Sequence, residues 1–120
     1  MAEFLYTKNR EEIGVYMTNL EQRAKNIRRN IVTEVYSAKS GHPGGSLSAA
    51  DILTELYFEQ MDINKDNVNT IDRDRFVLSK GHASPLLYAT LAEKDLLDED
   101  LTTFRNINSK LQGHPNMNYV

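Results

Sequence analysis

Every histidine in the chain follows a glycine: Gly41-His42, Gly81-His82 and Gly113-His114. Two of these pairs run on into proline, as Ser40-Gly41-His42-Pro43-Gly44-Gly45 and Gln112-Gly113-His114-Pro115. Glycine lets the backbone turn tightly, and proline stops the preceding element from continuing. The three steps therefore cut the chain into short regular segments whose ends carry imidazoles, side chains able to give or take a proton near neutrality. One such step is a turn with an incidental histidine. Three in 120 residues point to loops that aim imidazoles at a common object.

Between these breaks the hydrophobic pattern is mostly helical. Residues 1–18 read as a surface-lying lead segment with the apolar anchors Phe4, Leu5, Ile13 and Tyr16. Thr18-Asn19-Leu20-Glu21 has capping-box spacing, and Leu20, Ala24, Ile27, Ile31, Val35 and Ala38 then recur at steps of three and four along one stripe. Lys39 in the last turn and Gly41 at the C′ position predict the stop. Ser46 or Ser48 is expected to cap a second helix bearing Ile52, Leu53, Leu56, Tyr57 and Met61. That helix is apolar over enough of its circumference to be more buried than the first.

After a polar stretch over 62–74, Phe76-Val77-Leu78 reads as a short buried strand. Ser84 as N-cap with Pro85 at N1 predicts a helix to about Lys94. A last helical stretch over 98–105 carries Asp98, Glu99 and Asp100 in its first turn, where negative charge suits the dipole. A lone strand cannot make a sheet. Either the fold is mostly helical or the partner strands lie beyond Val120.

A chain of this length fits one small domain or a piece of a larger one, and 40% hydrophobic with 26% charged residues is an ordinary soluble composition. The 14 basic and 17 acidic residues are mixed along the chain, which gives no footprint for nucleic acid or an anionic membrane. Lys25, Arg28 and Arg29 form the densest basic cluster and read as the wet face of a helix. The absence of cysteine excludes disulfides, thiolate zinc sites and cysteine nucleophiles. The polar start has no apolar run long enough for a signal peptide or membrane span, so the expected location is cytoplasmic.

The strongest candidate site is Ser79-Lys80-Gly81-His82-Ala83-Ser84-Pro85, where the expected strand meets the start of a helix. Such a junction offers unpaired N–H groups and a partial positive charge, so its natural occupant is an anion, with His82 as an added donor. The plainer alternative is a capped helix start with a solvent-facing histidine. Likewise His42 and His114 fit simple turns when each is taken alone. A three-histidine metal site has no local ligand spacing to support it. No serine lies in a Gly-x-Ser-x-Gly elbow, and neither a Walker sequence nor Gly-x-Gly-x-x-Gly is present.

The loops do not look independent. Ser40-Gly41-His42-Pro43-Gly44-Gly45-Ser46-Leu47-Ser48-Ala49-Ala50-Asp51-Ile52-Leu53, Asp72-Arg73-Asp74-Arg75-Phe76-Val77-Leu78-Ser79-Lys80-Gly81-His82-Ala83 and Gly113-His114-Pro115 occur in the order and spacing of transketolases. Over residues 26–119 the chain resembles the short amino-terminal subunit of transketolases split into two chains. The resemblance implies an α/β fold: the incomplete amino-terminal part of a thiamine diphosphate-binding, parallel-sheet domain, helix-rich with about one strand. It spans residues 1–120 as a partial domain that begins at Met1 and stops before the metal-binding half.

The same resemblance implies transfer of a two-carbon ketol unit between sugar phosphates, using thiamine diphosphate and Mg2+. His82, with Gly81 beside it, matches the cofactor-binding turn, the histidine bonding the diphosphate. His42 matches the substrate-side histidine that contacts sugar hydroxyls and assists proton transfer, and His114 the one that bonds the donor's terminal hydroxyl. Where many transketolases have Gly-His-Pro-Glu, this chain has Asn116 after Gly113-His114-Pro115, so the acidic neighbour is missing. The Gly-Asp-Gly motif that holds the metal, and the glutamate that activates the aminopyrimidine, have no equivalent in this sequence. Metal ligands are therefore expected outside this chain.

The expected partners are the remainder of the domain and a pyrimidine-binding domain or subunit, in a homo- or hetero-oligomer. The chain alone is expected neither to bind the cofactor tightly nor to turn over substrate. The alternatives are a truncated interaction module without activity, or a deoxyxylulose phosphate synthase or dihydroxyacetone synthase relative.

Overall fold

A computed structural model describes the backbone of residues 10–120 and the side chains of residues 19–120. The anchors Phe4 and Leu5 lie outside the described residues, as do the side chains of Ile13 and Tyr16. Helix α1, Arg10–Ala38, is 29 residues long. The capping box expected at Thr18 is therefore not a helix start, because Thr18 lies inside α1. Between Arg10 and Thr18 the only poor helix former is Gly14, whose cost of about 1 kcal/mol a long helix absorbs.

The end of α1 also differs from expectation. Lys39 itself takes the left-handed conformation, with φ 52°. Its N–H donates to Tyr36 O at 3.2 Å, and the Ser40 N–H to Val35 O at 3.3 Å. That is the Schellman pairing, with lysine rather than glycine at C′. Gly41 answers a separate demand: its φ is 141°, and a methyl there would stand 3.1 Å from Val35 Cγ2.

The expected second helix is three pieces: α2 (Pro43–Leu47), α3 (Ala50–Glu55) and a π-helical turn over Leu56–Gln60. Pro43 starts α2 directly after the turn, so Ser46 falls inside it; Ser48 closes α2 as its C-cap, and neither serine is an N-cap. Leu53 and Tyr57 are buried, but Ile52 is 60% exposed, so this region is less enclosed than its apolar content predicts.

Helix α4, Ser84–Glu93, has Pro85 in its first turn as expected. Ser84 is its first residue instead of its cap, because a 3-10 turn over Gly81–Ala83 leads directly into it. Helix α1 packs along α4 and α3. Ile27, Ile31, Leu53, Tyr57, Leu86 and Ala89 share the main core, and Tyr88, Phe104 and Leu111 form a second cluster. Each fully buried Ile or Leu contributes roughly 1.5–3 kcal/mol. The apolar stripe of α1 is thus where the sequence pattern puts it, and Lys25, Arg28 and Arg29 are exposed as expected. Arg23 pairs with Glu93 at 3.1 Å.

The expected strand over 76–78 is a correction: among the described residues there is no strand. This stretch has no regular structure, and no described segment offers a ladder to pair with it. Phe76 packs edge-on against Tyr57, with centroids 5.9 Å apart, and Val77 is 86% exposed. The helix expected over 98–105 shrinks to a 3-10 turn, Leu101–Thr103, which Asp100 caps by accepting from the Thr102 N–H at 2.9 Å. Burial of Phe104 against Tyr88 draws the chain out of the helical path, and Arg105 follows at φ 66°.

One residue on the α1 stripe breaks the pattern. Glu34 is fully buried, and neither carboxylate oxygen has a hydrogen-bond partner among the described residues. Burial pushes its carboxyl up from 4.5 to about 9. With the folded pKa above the unfolded one, its contribution to stability is complete below about pH 4.5 and is lost as the pH climbs toward 9. Thermal or urea denaturation should therefore show stability falling between those limits by up to about 1.4 kcal/mol per pH unit at this site. Glu34→Gln, uncharged throughout, should flatten that slope. Parallel pH profiles for the two proteins would refute the assignment.

Candidate functional site at the histidine turns

The antiparallel run of α1 and α4 brings the end of one helix beside the start of the other. His42 occupies the N-cap position of α2, just beyond α1. His82 lies in the 3-10 turn before α4. Their rings meet edge to face, with centroids 5.3 Å apart and planes at 81°. His114 arrives from the chain that follows Leu111 and lies against Gly81, so closely that a methyl on Gly81 would stand 2.6 Å from its Cδ2. A methyl on Gly45 would be 3.1 Å from His82 Nε2. Two imidazoles distant in sequence therefore meet ring to ring, and a third lies against the residue before His82, all three exposed.

Each pair of turns is fastened by a side-chain hydrogen bond. Lys80 Nζ, from the His82 turn, donates to Gly45 O at 2.6 Å and Ser48 Oγ at 3.1 Å in the His42 turn. Arg105 Nη1 donates to Ser40 Oγ at 2.6 Å, while the Arg105 N–H donates to Leu111 O at 2.7 Å. That joins the His42 turn to the segment leading to His114. Ser84 Oγ donates to Gly113 O at 2.9 Å, joining the His82 and His114 turns. Beneath them the Tyr88 hydroxyl donates to Gln112 O at 2.7 Å, and burial pushes its phenol up to about 12. The phenol therefore keeps its proton across the physiological range.

Helix α4 begins with no side-chain cap, but Ala83 to Leu86 are all buried, so at this helix start it is the turn before it, with half-buried Gly81 and exposed His82, that meets solvent. Gly81 and His114 also border a groove of about 940 Å3, lined elsewhere by Tyr57, Arg73, Phe76 and Leu91. The arrangement offers imidazoles for proton transfer and for binding hydroxyl or phosphate oxygens, and a half-apolar groove alongside.

Gly81, His82, His42 and His114 are thus all brought together. Lys80, Arg105, Ser84 and Glu34 were not expected to matter in these ways. Glu34 had a sequence signal, since it lies three residues after Ile31 and seven after Ile27 on the apolar stripe. Lys80 had a weak one, a cation inside a glycine turn. Arg105 had none.

A family profile described as "Transketolase, thiamine diphosphate binding domain" matches residues 20–120. The chain belongs to this family. Among curated relatives it is 43% identical over 97 residues to one of the subunits of the apulose-4-phosphate transketolase of Phocaeicola vulgatus, covering 80% of this chain and 34% of that protein. It is 42% identical over 106 residues to transketolase 1 of Escherichia coli, covering 87% of this chain and 16% of that protein. The solved transketolase from Leishmania mexicana superposes with a TM-score of 0.72 at 40% identity, over 80% of this chain and 15% of that one. The chain therefore spans about a third or less of the length of these relatives. No helix among the described residues is long and apolar enough to cross a membrane.

In this transketolase-family chain Gly81 has a specific steric duty, because His114 fills the space a side chain would need. Its φ is not in the left-handed region, so Gly81→Ala is tolerated by the backbone and must be accommodated by the exposed ring. The expected result is a stability change within about 1 kcal/mol, with displaced His114 ring resonances in NMR spectra. Unmoved His114 signals would show that the contact is not there.

Proposed function

We propose that the chain is the amino-terminal part of a transketolase-type enzyme that transfers a two-carbon ketol unit between sugar phosphates. The carrying observation is the meeting of His42, His82 and His114 at the start of α4, on a chain of this family. The residues present suit a diphosphate: His82, exposed in the turn before α4, is a donor for phosphate oxygens. Thiamine diphosphate supplies, when bound, the electron sink for breaking and forming the carbon–carbon bond. His82, with Gly81 at its side, holds the diphosphate. His42 contacts the sugar hydroxyls and exchanges a proton with them, a role open to an imidazole as acid or base. His114 bonds the donor's terminal hydroxyl.

Among the described residues no cluster of three His, Cys, Asp or Glu side chains could hold a metal. The Mg2+ ligands, the pyrimidine-binding surface and the strands of an α/β sheet come from other parts of the enzyme. Those parts complete a cytoplasmic homo- or hetero-oligomer. By itself the chain binds thiamine diphosphate more weakly than micromolar and does not turn over sugar phosphates. Calorimetry with thiamine diphosphate and magnesium checks this, and micromolar binding to the chain alone would contradict it.

Complementation tests the activity. The chain is mixed with a polypeptide supplying the segments that follow it in a full-length relative, and ketol transfer is assayed. Wild type should restore thiamine diphosphate-dependent transfer. His82→Ala should weaken cofactor binding roughly 10- to 100-fold, the worth of one charge-assisted hydrogen bond. Equal rescue by both proteins would remove His82 from the diphosphate.

A further inference from the structure

We infer that Lys80 is a positioning residue that sets the His42 ring against the His82 ring. Its ammonium closes a small network: Nζ donates to Gly45 O at 2.6 Å and to Ser48 Oγ at 3.1 Å, while the Ser48 hydroxyl itself donates to Gly45 O at 3.1 Å. Both acceptors belong to the stretch that carries His42, and Lys80 lies two residues before His82. Gly45 is also where the backbone presses on His82, with the position of a methyl 3.1 Å from Nε2. The lysine therefore pulls the His42 turn onto the imidazole at the point of contact.

At the contact itself no side chain sets the spacing: Gly44 and Gly45 carry none, nothing within 4 Å would meet a methyl on Gly44, and the packing of α2 falls instead on buried Ser46 and half-buried Leu47. Both rings are exposed, so burial does not immobilise them. A lysine ammonium has three donors on a flexible stem. Two are satisfied across the junction, which is enough to hold one turn against the other. The 5.3 Å edge-to-face ring contact is the consequence.

The importance of this placement for catalysis rests on the function proposed above, but its test needs neither cofactor nor substrate. The experiment compares ring-proton cross-peaks in NMR spectra of the chain and of Lys80→Met and Lys80→Arg. The Tyr57–Phe76 and Tyr88–Phe104 ring contacts report on the two cores independently. Lys80→Met should lose the His42–His82 cross-peak and retain both core cross-peaks, and Lys80→Arg should restore the lost one. Persistence of the His42–His82 cross-peak in Lys80→Met overturns the inference. So does joint loss of all three, which would make Lys80 a general stabiliser, and so does failure of arginine to rescue. If instead the cross-peaks behave as expected while complementation fails, the proposed activity falls and the positioning role stands.

Discussion

The antiparallel packing of α1 on α4 decides where everything else can be. Ile27 and Ile31 meet the layer that includes Leu86 and Ala89, and the ion pair between Arg23 and Glu93 fixes one end of the pair at 3.1 Å. The other end is then determined: the chain leaving α1 and the chain entering α4 must pass each other. Both carry a Gly-His step at that point, so an apolar contact in the core brings the two turns side by side, where the imidazole rings lie 5.3 Å apart. The second cluster, Tyr88 with Phe104 and Leu111, performs the same service for the third histidine. Hydrophobic burial sets the coarse distances, and the hydrogen bonds of Lys80, Ser84 and Arg105 set the fine ones.

That division of labour shows in how exposed and buried groups are treated. The histidines stay in water, where an imidazole remains free to exchange protons. The Tyr88 phenol and the Glu34 carboxyl lie inside, and burial favours the neutral form of each. A carboxyl with neither oxygen partnered is costly in a core. The chain tolerates it by leaving it protonated.

Much of the site was legible because glycine and proline advertise turns irrespective of what surrounds them. The apolar stripe of α1 and the Ser84-Pro85 start of α4 were readable for the same local reason, since period and ring geometry act within a few residues. Failures came where a neighbour decided the outcome. Thr18 has the chemistry of a cap, yet the chain before it continues as helix. Lys39 takes a conformation that favours glycine. Phe76-Val77-Leu78 has strand composition, but a strand exists only in company. The fastening roles of Lys80 and Arg105 depend on contacts 35 and 65 residues away in sequence, which no local pattern encodes.

The unaccompanied stretch at 76–78 makes no main-chain hydrogen bond to another segment among the described residues, and its central valine is largely exposed. Such a bare rail invites any other extended peptide, including another copy of itself. The alternating charges immediately upstream, Asp72-Arg73-Asp74-Arg75, do not guard it: in an antiparallel copy each Asp would face an Arg, which favours the pairing instead of opposing it.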